Sequence, residues 1–331
     1  MPYAPATDIR RRMFEQPRRF EQEITQWQFV TGLDGQFADD VYWDAWVNHG
    51  IREREDQDFG QYVGDRLANA LGPSADLNGD GQPECYLDVN DPSSLITGCV
   101  PLNLWGGGTI TRETGQPTAS SVTPDMLQYI SFTLNDSFVT KNTSAGGSLT
   151  STWFELPGGK MGWAVGYGYW KQEFKFTPDS GKAAGNVTGN KSTSTQGSLT
   201  NNNVFGELLL PFWGNDVQQF DVKLGLRYDE WDAFDGDTTW QIGVEFDATQ
   251  ELKFRGTIGT VFRAPTINDL FAGAADNFPT FSDPCAPPDP APGCEGVAPG
   301  DEQQLLARVG GNPFLIPETG TTYTGGIVWT P

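Results

Sequence analysis

The sequence predicts an all-β fold: an antiparallel transmembrane β-barrel, seen as a partial wall of about nine strands with long loops gathered at one end. Three observations predict it. Apolar and polar residues alternate with period two over many segments, the composition is rich in turn-formers, and the connections between alternating segments are short and long in turn. The 331 residues include 40 glycines, 23 prolines and 12% aromatics. That profile suits short β segments rather than long helices. No run approaches the roughly 18 apolar residues of a membrane helix, so any crossing is by strands. A negative mean hydropathy agrees with this, because only every second residue of a barrel strand faces lipid.

The strands can be justified in order. Trp27, Phe29, Leu33 and Phe37 alternate with Gln26, Gln28, Asp34 and Gln36. After a short Ala-Asp-Asp turn, Trp43, Ala45, Val47 and Ile51 continue the pattern. Trp163, Val165, Tyr167 and Tyr169 alternate with Gly162, Gly166 and Gly168. Between Asp221 and Asp229, Val222, Leu224, Leu226 and Tyr228 oppose Asp221, Lys223, Gly225, Arg227 and Asp229. Trp240, Ile242, Val244 and Phe246 oppose Thr239, Gln241, Gly243, Glu245 and Asp247. Leu252, Phe254, Gly256, Ile258 and Phe262 then oppose Glu251, Lys253, Arg255 and Arg263, and Tyr323, Ile327 and Trp329 oppose Thr322, Thr324 and Thr330.

Very short turns are expected near Asp39–Asp40, Pro157–Gly159, Asn215–Asp216 and Ala248–Gln250, with long polar segments near 53–125, 177–200 and 264–318. The stretch Trp231–Gly236 is a shorter break. Tight periplasmic turns and long extracellular loops give a barrel that asymmetry. A secreted β-sandwich binding glycans through Trp and Asp is the soluble alternative. Successive full charges on the polar faces, and apolar faces that end in aromatics, favour the barrel.

The formal charge of −22 excludes a nucleic-acid partner, which needs a basic footprint. The cluster Arg10, Arg11, Arg12, Arg18 and Arg19 is expected to be a solvated or wall-paired stretch. Cys85 with Cys99, and Cys285 with Cys294, lie close in sequence among Pro, Gly and Asp. They suggest two locally closed disulfide loops and an oxidising compartment. No charged and apolar leader follows Met1, so a portion of a longer exported protein is expected. His49 is the single histidine, no G-x-S-x-G accompanies it, and no enzyme is expected.

Asp76, Asn78, Asp80 and Gly81 fit the front of a D-x-N-x-D-G calcium loop, but Leu87 stands where the bidentate acid belongs. A surface Asx turn is the preferred reading, with calcium as the one candidate cofactor. Gly185–Ser192 resembles a P-loop but lacks its glycine before Lys191, and reads as a flexible loop. The acids around Trp231, from Asp229 to Asp232, read as a solvated loop at the top of a hairpin rather than a glycosidase cleft.

Two motifs carry a family resemblance. Phe262, Arg263, Ala264 and Pro265 open a segment, ending Asn268-Asp269-Leu270-Phe271, that resembles the FRAP-x-x-x-E-L-F signature of TonB-dependent receptors; Asp269 stands where Glu is common. Gly311, Asn312 and Pro313, followed by Pro317, Glu318 and Thr319, resemble the family's GNP-x-L-x-PE-T element. The similarity extends upstream through Arg18–Glu23, the segment from Cys99 to Gly106, and Phe154–Gly159, and so covers essentially the whole chain. The resemblance implies a barrel of about 22 strands around an N-terminal plug. It also implies an outer-membrane location amid lipid and lipopolysaccharide, energy relayed by a TonB complex through that plug, and import of a siderophore, cobalamin or oligosaccharide. A passive porin is the alternative within the same architecture. On this basis residues 1–331 form part of the barrel domain, with the plug and the last strands outside them. Arg263, in phase with Lys253 and Arg255, is expected on the lumen side, facing either plug carboxylates or a charge partner within the wall. Pro265, Pro313 and Pro317 are expected to mark where strand pairing stops.

Overall fold

The computed structural model describes residues 11, 13–104, 120–285, 291–294 and 303–331. Arg10, Arg12 and the Trp105-Gly106 end of the segment from Cys99 lie outside the described residues. Among the described residues nine strands form the wall: β1 (Arg19–Ala38), β2 (Val41–Tyr62), β3 (Ser131–Leu156), β4 (Gly159–Thr177), β5 (Thr195–Gly214), β6 (Gln219–Trp231), β7 (Asp237–Asp247), β8 (Leu252–Arg263) and β9 (Glu318–Trp329). They make one sheet in which every neighbour in space is the neighbour in sequence, β1 to β9, each pair antiparallel. Short helices sit in the described connections: α1 (Gly64–Leu71), α2 (Pro124–Ile130), α3 (Ser180–Ala184) and α4 (Ile267–Phe271).

Strand number, turn positions and phase agree with the sequence pattern. The wall is a single sheet, and among the described residues the other ribbons have two short strands each; the sandwich alternative therefore fails, since it needs two large sheets face to face. The expected loop from residue 53 is corrected, because β2 continues to Tyr62 through Glu53, Arg54, Glu55 and Asp56. Likewise β5 begins at Thr195, inside the segment expected to be loop to 200. In both places the alternation loses its apolar half, and pairing to a long neighbour sustains the strand without it.

Register fixes which side chains share a face. One row on the apolar face runs Val41, Ser151, Trp163, Leu208, Leu224, Ile242, Ile258 and Tyr323. His49 lies on this face too, its Nδ1 at 2.8 Å from the Thr143 hydroxyl and its ring 5.4 Å from Trp27. The opposite face is a polar lattice. Gln28 donates to Asn48, which donates to Ser144, and Ser148 donates to Asp44. Lys223 meets Glu245 at 2.7 Å, and Lys253 meets Asp247 at 3.2 Å.

All the two- to four-residue turns lie at one end of the sheet, and the long connections lie at the other. The long ones are stitched together. Thr188 N–H donates to Tyr62 O and Gly64 N–H to Asn186 O. Thr193 N–H donates to Ala274 O and Asp276 N–H to Lys191 O. Gly185, at φ +77°, ends α3, so the segment that resembles a P-loop is a helix cap followed by residues bonded to the last long loop. Both expected disulfides are present, Cys85–Cys99 and Cys285–Cys294. Of the basic cluster, Arg11 pairs with Glu15 at 2.6 Å, and Arg19 pairs with Glu21 and covers the Phe59 ring. The Arg11 guanidinium holds the Glu15 carboxyl down at about 2.

Candidate functional site

The two signature segments, separated in sequence by the last long connection, meet at the long-loop end of β8 and β9. Phe262 and Arg263 pair in register with Thr319 and Glu318. The ladder stops there for a physical reason: Pro265 and Pro317 offer no N–H to continue it. Past Pro265 the chain turns into α4 through a reciprocal cap. Asp269 N–H donates to the Thr266 hydroxyl at 3.2 Å, and Thr266 N–H donates to Asp269 Oδ2 at 2.9 Å. An aspartate in place of the usual glutamate thus still closes the capping box. That backbone bond, then the Thr266 hydroxyl, and then the Arg263 charge hold the Asp269 carboxyl below its ordinary value.

The second signature is laid directly on α4. Asn312 N–H donates to Asp269 O at 2.7 Å, and Gly311 N–H to Ala272 O at 2.9 Å. A Cβ on Gly311 would stand 2.5 Å from Ala272 N and 2.6 Å from Leu270 C. Those are backbone atoms that cannot swing aside, so only glycine fits this contact.

Helix α4 does not point into solvent. Ile267 and Leu270 are buried with Leu199, and Trp170, Phe174, Trp231, Phe234 and Phe271 close around them. Trp231 meets Trp170 edge-on at 5.8 Å and stacks on Phe234 at 5.2 Å. Trp170, Phe174, Leu199 and Trp231 all occupy the polar phase of their strands, so α4 folds back onto the polar face of the wall. Sequence reasoning missed this seat. Its signal was present as large apolar residues out of phase with the alternation, at the loop end of β4, β5 and β6.

Arg263 lies on the polar face as expected. Its guanidinium meets Glu318 at 3.0 Å and Asp269 at 4.0 Å, a pairing within its own chain. Both Arg263 and Glu318 remain mostly exposed. The reading of Asp229–Asp232 as a solvated loop is corrected. Asp229 is 2% exposed, its two carboxylate oxygens accepting from Arg227 Nε at 2.8 Å and Nη2 at 2.9 Å. Beside it Asn203 donates to Asn201, and Asp232 accepts from Thr200 N–H. The strand runs on to Trp231 because that side chain has an apolar cluster to join.

The Asp76 loop is distant from this junction in sequence and has its own geometry. Asp76 accepts from the backbone N–H groups of Gly79, Asp80 and Gly81, and Asn78 accepts from Asp80 N–H. Among the described residues no group of three or more His, Cys, Asp or Glu gathers at metal-holding distance. Among the described residues the junction brings together no histidine or cysteine. What it does chemically is fix a long loop to the wall and hold one exposed guanidinium beside two carboxylates.

Residues 2–331 match the family model described as TonB dependent receptor-like, beta-barrel. A stretch of 55 residues is 34% identical to the Vitamin B12 transporter BtuB of Photobacterium profundum, covering 17% of this chain and 9% of that protein. Among solved structures, the siderophore receptor PirA from Acinetobacter baumannii aligns over 94% of this chain and 41% of that one, with a TM-score of 0.41 and 11% identity. The chain therefore spans less than half the length of either protein.

Proposed function

Because the chain belongs to the TonB-dependent receptor β-barrel family, we propose that it forms the wall of a bacterial outer-membrane receptor that imports a scarce ligand on energy relayed by TonB. The observation that carries this reading is the family match along residues 2–331. The division of the sheet into one apolar and one polar face supports it. On this reading the apolar face meets lipid and lipopolysaccharide, and the polar face, with Arg263 at its upper edge, frames the plug through which TonB acts. Among the described residues β1 and β9 each pair on one side only, and on this reading those edges are covered in the membrane, since an open edge is not sustained in hydrocarbon.

The stitched loops form the outward mouth and meet ligand first. The proposed ligand is of the siderophore, cobalamin or oligosaccharide class. No covalent chemistry is part of this function, and the family is one of receptors and transporters rather than enzymes. The test is uptake of labelled siderophores, cobalamin and oligosaccharides by cells carrying the gene, with and without TonB. Uptake of one ligand that stops when TonB is deleted is the expected result. Uptake indifferent to TonB would establish the passive porin instead.

A further inference from the structure

Between the end of α3 and the start of β5, residues 186–194 form neither helix nor wall strand. Their two ends are fixed. Behind them α3 is clamped to the wall, where the buried Asp136 accepts from the Lys182 ammonium and, at 2.9 Å, from Asp179 N–H. Ahead of them Thr195 begins the ladder with β4. The residues between are ordered by two other connections, 63–130 and 264–317.

On one side Val187 forms a bridge with Val63: Gly64 N–H donates to Asn186 O at 2.8 Å and Thr188 N–H to Tyr62 O at 2.9 Å. The Thr188 hydroxyl closes this bridge, accepting from Tyr62 N–H at 3.0 Å and donating to the buried Gln61 at 2.7 Å. On the other side Ser192 bridges Ala275. There Thr193 N–H donates to Ala274 O at 2.9 Å and Asp276 N–H to Lys191 O at 2.8 Å, and Asn190 Nδ2 adds a bond to Asp276 O at 3.1 Å. The Thr195 hydroxyl then accepts from Gly273 N–H at 2.9 Å, two residues beyond α4. Only Gly189 separates Thr188, bonded to the first connection, from Asn190, bonded to the last. A trans peptide sets consecutive Cα atoms about 3.8 Å apart, so the segment has no slack with which one bridge could shift while the other stayed.

A segment whose backbone groups are satisfied by two partners loses half of what orders it when either one leaves. We propose that residues 186–194 are a strap that makes the mouth one cooperative unit, in which residues 63–64 of the first connection and 273–276 of the last open together rather than loop by loop. The inference rests on the reading that these connections form the outward mouth, and it adds how that mouth moves. An occupant that displaces the first connection also loosens the attachment of α4 and of the signature segment laid on it.

The test is hydrogen exchange of the full-length receptor in detergent micelles, without ligand, followed at Gly64 and Thr188 on one bridge and at Thr193 and Asp276 on the other. Thr188→Val removes the hydroxyl from the first bridge, and Gly273→Ala presses a methyl group onto the Thr193 and Ser194 carbonyl oxygens beside the second. Each variant is expected to accelerate exchange several-fold at all four amides, while mid-strand amides such as that of Leu224 keep their rates. Inserting Gly-Ser-Gly after Gly189 supplies slack and should confine each effect to the bridge where the substitution lies. Acceleration limited to the substituted bridge without that insertion would overturn the proposal. So would coupling that survives the insertion, no change at either bridge, or loss of protection that extends to the mid-strand amides. None of these readouts involves ligand or TonB, so concerted exchange in a receptor whose uptake ignores TonB would keep the strap and remove the importer.

Discussion

At the scale of single residues, the junction of β8, β9 and α4 separates contacts that matter sterically from contacts that matter little. Gly311 lies against the backbone of Leu270–Ala272, so Gly311→Ala is expected to cost about 1–3 kcal/mol as an overpacked contact. The measurement is hydrogen exchange, in which the amides of Asn312 and Leu270 should lose protection while those of mid-strand residues keep it. The Arg263–Glu318 pair should behave oppositely. It is more than half exposed on both sides, and a double-mutant cycle of Arg263→Ala and Glu318→Ala should return a coupling within about 1 kcal/mol. A larger coupling would mean that the pair is shielded by something packed over it. The motif arginine is thus conspicuous in the sequence and energetically minor in the wall, whereas its glycine is inconspicuous and indispensable.

At the scale of elements, α4 is a five-residue helix, too short to persist alone. Its cap and its buried face decide whether it forms. Leu270→Ala should weaken its docking by about 2–5 kcal/mol, and Thr266→Ala by about 1 kcal/mol, both read as faster exchange through residues 267–272. The cap also has a pH signature. Folding lowers the Asp269 carboxyl below its ordinary 3.8, so its contribution is complete above that value and is lost as the pH falls through the folded pKa. Protection of the Thr266 and Leu270 amides, taken relative to their intrinsic exchange rate at each pH, should therefore fall on acidification below about 3.8, and Asp269→Asn should flatten that dependence. Much of this element was within reach of the sequence: the proline, the threonine and the acid three positions on spell out a helix start. Where it docks was not. Docking depends on Trp170, Phe174 and Leu199, contributed by β4 and β5 far earlier in the chain, and only their breach of the alternation hinted that a loop returned to cover them.

For the whole molecule, the alternation that revealed the strands also states what the two faces tolerate. Ile242 sits mid-row on the apolar face and Gln241 beside it on the polar face, between Gly225 and Gly259. Ile242→Arg should reduce folding into vesicles by about 2–4 kcal/mol, and Gln241→Arg should leave it nearly unchanged. Equal effects would place both residues in water. Seven of the nine strands and the four tight turns were legible because period two marks a strand in which one face is apolar; the count of about nine was right, but Ser131–Leu156 and Thr195–Gly214 were not read from alternation. The loop ends of β2 and β5 were not legible, because there the phase that is apolar elsewhere carries Glu53, Glu55 and Gln57 in β2 and Gln196, Ser198 and Thr200 in β5, and pairing to a neighbour sustains the strand. The order of the sheet has a further consequence, for assembly. Among the described residues each wall strand is laddered only to those before and after it in the chain, so within this sheet the strands need no remote partner and it can lengthen hairpin by hairpin like a closing zipper. At every stage the growing margin is a template for the next hairpin, so register passes from strand to strand instead of being found by search.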